Sequence, residues 1–147
     1  TNTYACTPIS MKNYGMESSI KEFNKKSVQL GKKAIEDSKK KVALAGSVSA
    51  SGSFYKLGIK KMIPGFNEQL KILTDEGVDL IILEAMSSQY DIVETLLKWS
   101  KKINLPIWLS ISCVFDKNKE IYLGYDDDVK NDKPQIYENF IETMNKV

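Results

Sequence analysis

Short apolar stretches alternate along the chain with longer stretches in which apolar residues recur at helical spacing. Four short stretches have the composition of a strand or of a strand's end, at residues 1–5, 41–45, 78–83 and 105–114. Four longer stretches have helical spacing or a helix-start signal, at residues 18–40, 64–76, 88–99 and from 132 onward. Because strands and helices alternate, the pattern predicts βαβ units with right-handed crossovers, and therefore a parallel sheet.

Residues at the ends of these stretches set the expected limits of the first two helices. Ser18 or Ser19 can cap the first helix, and Pro64 and Gly77 mark the start and the end of the second. The inward stripe of the first helix is predicted to be Ile20, Phe23, Leu30 and Ala34. That of the second is predicted to be Phe66, Leu70 and Leu73. After the fourth strand, a small hairpin is expected near residues 120–123.

Each predicted strand ends in a small group of polar residues. These groups are residues 1–4, 47–49, 84–86 and 110–113. In a parallel α/β protein, helices cover the faces of the sheet, and ligands bind in the loops beyond the carboxyl ends of the strands. The sequence therefore predicts that the polar groups lie along one edge and form the functional site.

The number of units separates two architectures. Four βα units are half of a (β/α)₈ barrel, which typically needs about 250 residues. The alternative is a complete small doubly wound sheet. We expect the partial barrel, because the chain opens directly on the polar end of a strand, which is unusual for a finished domain.

Composition and charge exclude several classes of function. The 147 residues are 42% hydrophobic and 27% charged, as in ordinary globular domains, and the net charge is only +2. Lysine pairs are spread along the chain and interrupted by acids, which argues against a nucleic-acid groove, and no apolar run is long enough to span a membrane. The chain has no histidine, which excludes His-based triads and HExxH zinc sites. Two distant cysteines, Cys6 and Cys113, suggest a reducing, cytoplasmic location.

Four segments together resemble the homocysteine S-methyltransferase family in order and spacing. They are residues 1–4, 42–48, 77–86 and 106–113. The resemblance covers nearly the whole chain and implies that residues 1–147 are a partial (β/α)₈ barrel of strands two to five, lacking the first strand and the last three. It also implies methyl transfer from a donor to the thiol of homocysteine, with zinc lowering the pKa of that thiol.

The resemblance implies an amino-acid-binding role for six residues: Asn2, Thr3, Tyr4, Ser47, Ser49 and Glu84. Glu84 matches the family's strand-four carboxylate, which would pair with the ammonium group of homocysteine. The first three would supply hydrogen bonds and an aromatic wall, and the two serines lie where the family's strand-three loop approaches the substrate. From the residues alone, an exposed loop acid, loop-capping groups and small packing residues explain the same positions.

The family's zinc ligands are cysteines in an Asn-Cys pair and a Gly-Gly-Cys-Cys run, and neither motif occurs here. Cys113 is therefore expected to be structural, and no catalytic or metal-ligating residue is predicted. Two functions remain open. One is an enzyme segment that binds homocysteine and a methyl donor, whose complement lies on a missing portion of the chain and which is inactive alone. The other is a non-catalytic half barrel that binds or assembles without metal.

Overall fold

A computed structural model describes residues 1–49, 59–86, 94, 97–115, 117–123, 141–142 and 145. Three α-helices are described, α1 (Pro8–Asn13), α2 (Ile20–Ser38) and α3 (Ile59–Asp75), with a 3₁₀ turn at Glu17–Ser19. The strands are β1 (Ala45–Ser49), β2 (Leu80–Glu84), β3 (Ile107–Leu109), β4 (Cys113–Phe115) and β5 (Ile121–Leu123). Within these ranges no helix is long and apolar enough to cross a bilayer.

The first three strands form one parallel sheet in the order β1-β2-β3. In its register Ser47 is paired with Ile82, and Ile82 is paired in turn with Trp108. The helix α3 connects β1 to β2, as a βαβ unit requires. The predicted α/β class with parallel strands is confirmed, and the sheet that these residues form is open rather than closed into a barrel.

The N-terminal residues run beside β1 without forming the predicted strand, so the strand expected at residues 1–5 is wrong. The Thr3 hydroxyl donates to the carbonyl of Ser47 at 2.6 Å, and the Ser47 amide donates back to that hydroxyl at 3.1 Å. The Thr3 side chain thus satisfies the backbone amide and carbonyl of Ser47 at the edge of β1, which in a β-sheet would bond to the backbone of a neighbouring strand.

The strand β1 begins four residues later than the sequence predicts. Its start is set by Leu44 and Asp79: the Leu44 amide donates to Asp79 Oδ2 at 2.7 Å, and the Asp79 amide donates to the Leu44 carbonyl at 2.8 Å. Residues 41–43, before this pair, are exposed. The strand β2 begins two residues after the start of the predicted run 78–83 and ends one residue after it, at Glu84.

The predicted fourth strand, residues 105–114, is split into two. Its first part is β3, which extends the parallel sheet, and its second part contributes to β4, which pairs antiparallel with β5 in a separate two-stranded sheet. The hairpin predicted near residues 120–123 is therefore confirmed. Of the later predicted helices, residues 94, 97–100 and 141–142 are helical, residue 145 is in a turn, and the other positions lie outside the described residues.

The inward stripe of α2 differs from the predicted one. The buried residues of this helix are Ile20, Asn24 and Val28. Among the predicted residues, Phe23 is 41% exposed, Leu30 is 58% exposed, and Ala34 is exposed as well. The prediction ranked positions by apolarity alone, whereas the helix turns a hydrogen-bonded amide, that of Asn24, into the interior.

The helix α3 follows its predicted stripe, since Phe66, Leu70 and Leu73 are all buried. It begins at Ile59, upstream of the predicted start at Pro64, which lies inside the helix and removes one amide donor from an early turn. Gly77, with φ +74°, follows the helix end in the left-handed conformation that glycine adopts without strain.

The two long helices cover one face of the parallel sheet. Val48, Ile81 and Leu83 are fully buried on that face, in a core cluster that also contains residues of both helices. Strand side chains alternate between faces, so Ser47, Ile82 and Trp108 lie on the opposite face, where Trp108 is 62% exposed. The helix-covered side provides the core, and the opposite side carries the polar strand ends, of which Ser47 and Ser49 are buried.

Candidate functional site

The centre of the candidate site is a contact between two strand ends. Ser49 and Glu84 are paired in the register of β1 and β2 and are the last residues of those strands. Ser47, two residues earlier on the same face, donates its hydroxyl to Glu84 Oε2. The parallel pairing thus brings together two of the predicted polar groups at the carboxyl edge, as the sequence predicts.

Glu84 is half-buried and follows Leu83, which is fully buried. Its carboxylate forms no ion pair with a described lysine. The ion pairs found in the described part are Lys25–Glu76, Lys71–Asp75 and Lys98–Glu94. A partly desolvated carboxylate is stabilised by a cationic hydrogen-bond donor. The hydrogen bond from Ser47 occupies only part of the accepting capacity of the Glu84 carboxylate, so Glu84 can also accept a hydrogen bond from a cationic group of a ligand.

The turn after Glu84 has an unusual backbone. Ala85 has φ +53°, a left-handed conformation that costs a non-glycine residue about 1–2 kcal/mol. The turn lets the Met86 amide donate to the Ser110 carbonyl at 2.8 Å, while the Ser110 amide donates to the Leu83 carbonyl at 2.9 Å. The strained residue is thus held between hydrogen bonds that join β2 to the chain beyond β3, at the site's edge.

The predicted N-terminal site residues contact β1 in different ways. Thr3 is fully buried, and its hydroxyl bonds to the backbone of Ser47. The Tyr4 carbonyl accepts a hydrogen bond from Ser49 Oγ at 2.9 Å, and the Asn2 carbonyl accepts one from Ser27 Oγ at 3.3 Å. The side-chain amide of Asn2 and the phenol of Tyr4 make no hydrogen bond to another described residue.

Two buried amides that the sequence reasoning missed hold this N-terminal segment. Gln69 Nε2 donates to the Thr3 carbonyl at 2.8 Å and to Asn24 Oδ1 at 3.2 Å. Asn24 Nδ2 donates to the Cys6 carbonyl at 2.9 Å. The sequence contains a signal for Asn24: it lies four residues from both Ile20 and Val28, so it shares the face of the helix that those apolar residues turn inward.

The thiols of the chain are poorly suited to metal binding or to nucleophilic attack. Cys6 and Cys113 are both free, and burial raises the pKa of each thiol above its ordinary value. The thiolate is the form that binds metal and attacks electrophiles, and it is less populated when the pKa is raised. No three histidine, cysteine, aspartate or glutamate residues in the described ranges are grouped so as to hold a metal ion. These residues therefore do not fit a zinc ion.

A separate cavity of about 220 Å³ lies between α3 and residues 99–103. Leu70, Thr74 and Trp99 contribute to its walls, and none of the predicted site residues does. The predicted residues instead form a continuous polar edge from the N-terminal segment through β1 to Glu84. In chemical terms this edge can bind a cationic group and hydrogen-bonding ligand atoms.

Comparison with known protein families gives a match, whereas comparison with curated proteins does not. The profile of the homocysteine S-methyltransferase family matches residues 1–130, a segment that contains all five described strands and the polar edge. Since this match covers most of the 147 residues and agrees with the family that the strand-end segments resemble, the chain belongs to the homocysteine S-methyltransferase family.

Proposed function

We propose that this chain forms the homocysteine-binding part of a methyltransferase that acts on the homocysteine thiol. In this proposal, residues 1–147 contribute the part of a (β/α)₈ barrel that runs from the position of strand two, occupied here by the non-strand residues 1–5, to strand five. The observation that carries the proposal is the Glu84 carboxylate, held by Ser47 at the carboxyl edge of the sheet with no lysine partner in the described ranges.

Glu84 binds the ammonium group of homocysteine in this proposal. A hydrogen bond to a charged group contributes about 1.5–3 kcal/mol, more than a neutral one. Ser47 orients the carboxylate, because its hydroxyl hydrogen is already donated to Glu84. The free side chains of Asn2 and Tyr4 contact the rest of the amino acid, and Thr3 and Ser49 hold the two segments together through their hydroxyls.

Thiol activation is not assigned to these residues. A thiol with an ordinary pKa is mostly protonated at neutral pH, and a nearby cation is needed to ionise it. Zinc supplies that cation in the family, but the described residues do not fit zinc. The part proposed for this chain is therefore to bind and orient homocysteine for attack on a methyl donor. A reducing cytoplasm, where thiols stay reduced, is the proposed location.

Calorimetric titration of the intact protein with L-homocysteine tests this function. The Glu84→Gln substitution keeps the shape of the side chain and removes its charge, so affinity is expected to fall roughly 10- to 150-fold. Asp75→Asn is the matched control, since it removes the same charge from an exposed ion pair outside the site. Equal affinity in the unaltered and Glu84→Gln proteins would remove Glu84 from the site.

An activity assay separates the enzyme from the non-catalytic alternative. The intact protein is supplied with L-homocysteine and either S-adenosylmethionine or S-methylmethionine, and methionine is measured. Methionine formation that is reduced in Glu84→Gln supports the methyltransferase. Binding of homocysteine without methionine from either donor favours the binding or assembly module.

A further inference from the structure

We infer that Gln69 and Asn24 are positioning residues for the amino-acid site. They touch no ligand themselves and act on Glu84 through two intermediate residues, Thr3 and Ser47. The inference rests on the proposed function, because it assigns these two amides to the site built around Glu84. It is supported by a continuous series of hydrogen bonds, each donated or accepted by a side chain, that begins at a buried residue of α3.

The series starts at Gln69, which is fully buried. Its Nε2 donates to the Thr3 carbonyl at 2.8 Å, which fixes the backbone of Thr3. The Thr3 hydroxyl then bonds both to the amide and to the carbonyl of Ser47. Ser47 in turn donates its own hydroxyl to Glu84. Each hydrogen bond in the series therefore positions the residue that makes the next one.

Asn24 holds the other end of the same turn. The Cys6 amide donates to the Thr3 carbonyl at 3.0 Å, which closes a turn over residues 3–6. Asn24 Nδ2 donates to the Cys6 carbonyl at 2.9 Å, and Asn24 Oδ1 accepts from Gln69 Nε2 at 3.2 Å. One amide therefore holds the first carbonyl of the turn and the other holds the last, and the two amides bond to each other.

Packing alone does not explain an amide at position 69. Gln69 Oε1 is buried and has no hydrogen-bond partner among the described residues. A buried acceptor without a partner is destabilising, and an apolar side chain of similar length would fill the space without leaving one. The amide is therefore retained for its donor, and that donor is spent on the Thr3 carbonyl and on Asn24.

Amide hydrogen exchange in the intact protein tests the series without any ligand. Gln69→Met keeps the side-chain length and removes the donor. The Ser47 amide, which donates to the Thr3 hydroxyl at 3.1 Å and to the Thr1 hydroxyl at 3.3 Å, is compared with the Ile81 amide, which donates to the Pro106 carbonyl. The ratio of the Ser47 to the Ile81 exchange rate is expected to rise roughly tenfold in Gln69→Met, as for the loss of one hydrogen bond. Leu73→Ala, a core truncation in the same helix, should leave the ratio unchanged.

Affinity for L-homocysteine is measured on the same variants and is expected to fall roughly tenfold in Gln69→Met but not in Leu73→Ala. Where Gln69→Met fails to fold, Thr3→Val removes the next link with little change of volume and should give the same two results. An unchanged exchange ratio, or an equal loss of affinity in Leu73→Ala, would overturn the inference. A lack of homocysteine binding by the unaltered protein would instead contradict the proposed function, since the exchange ratio is read without ligand.

Discussion

Ser47 Oγ donates a hydrogen bond to Glu84 Oε2 diagonally across two parallel strands. The register pairs Ser47 with Ile82, so the acceptor lies two residues farther toward the carboxyl edge on the same face. The diagonal bond engages one carboxylate oxygen, Oε2. In the proposed function, the serine orients the acid, and the acid binds the ammonium group of the ligand.

Replacing Ser47 by alanine is therefore expected to weaken L-homocysteine binding about fivefold. The reason is the loss of one orienting hydrogen bond, of about 1 kcal/mol, while the charge of Glu84 is kept. Calorimetric titration measures the change. Ser38→Ala is the control, since its hydroxyl bonds to the Ile35 carbonyl at the end of α2. Equal affinities for Ser47→Ala and the unaltered protein would show that the bond does not orient Glu84.

The sequence was sufficient where apolar burial alone decides the structure. The run 78–83 predicted β2, and the stripe of Phe66, Leu70 and Leu73 predicted the buried face of α3. Gly77 was identified as a helix end, and it has the positive φ that this role requires. Each of these features depends on periodicity or on local backbone preference, which a single sequence contains.

The sequence was insufficient where a distant partner satisfies a polar group. Asn24 is buried because the Cys6 carbonyl accepts its hydrogen bond, and periodicity does not reveal that partner. In the same way, β1 contains Ser47 and Ser49, whose hydroxyls bond to Glu84 and to the Tyr4 carbonyl. Apolarity therefore placed this strand four residues too early.

The contact between two of the predicted site residues was predictable, but the environment of the others was not. Glu84 and Ser47 were expected at one edge, because parallel strands share their carboxyl end, and they are in contact. That Thr3 would be fully buried and bonded to Ser47 was not predictable, since a threonine near a strand end is as easily a ligand contact. The role of each site residue as a binding group remains a prediction.

Asp79→Ala is expected to destabilise the protein by about 1–3 kcal/mol. Asp79 Oδ2 accepts the hydrogen bond of the Leu44 amide at the start of β1, and its removal leaves a part-buried donor without a partner. Urea unfolding measures the loss. The control is Asp75→Ala, which breaks an exposed i,i+4 pair with Lys71 and should cost less than about 0.5 kcal/mol. Equal losses in the two variants would contradict this role for Asp79.

Gly77→Ala is expected to destabilise the protein by about 1–2 kcal/mol, because Gly77 has φ +74°. Gly15→Ala is a matched comparison, with φ +65° and no atom within 4 Å of an added Cβ. At Gly77 the added Cβ would lie 3.1 Å from Lys32 Nζ, which can move aside. Similar losses in both variants, measured by urea unfolding, would show that backbone strain dominates. A neutral Gly77→Ala would contradict the account.

The pH dependence of the rate at which Cys6 is alkylated should reflect the raised pKa of its thiol. Burial raises the pKa of this thiol above its ordinary value of 9.0, so the folded protein holds the proton to higher pH than the unfolded chain does. The rate of reaction with iodoacetamide is measured against pH in a Cys113→Ser protein. The midpoint of this curve should lie above pH 9.0 in the folded protein and at a lower pH in the protein unfolded by urea. By linkage, this thiol lowers folding stability as pH rises past 9.0. A folded midpoint below the unfolded one would refute the prediction.

The pairing of Glu84 with the ligand's ammonium group is tested most directly by a cycle of two proteins and two ligands. Titrations compare L-homocysteine with 4-mercaptobutanoate, which lacks the amino group, in the unaltered and Glu84→Gln proteins. We expect that the unaltered protein prefers homocysteine roughly 10- to 150-fold and that Glu84→Gln loses nearly all of this preference. The same preference in both proteins would contradict this expectation.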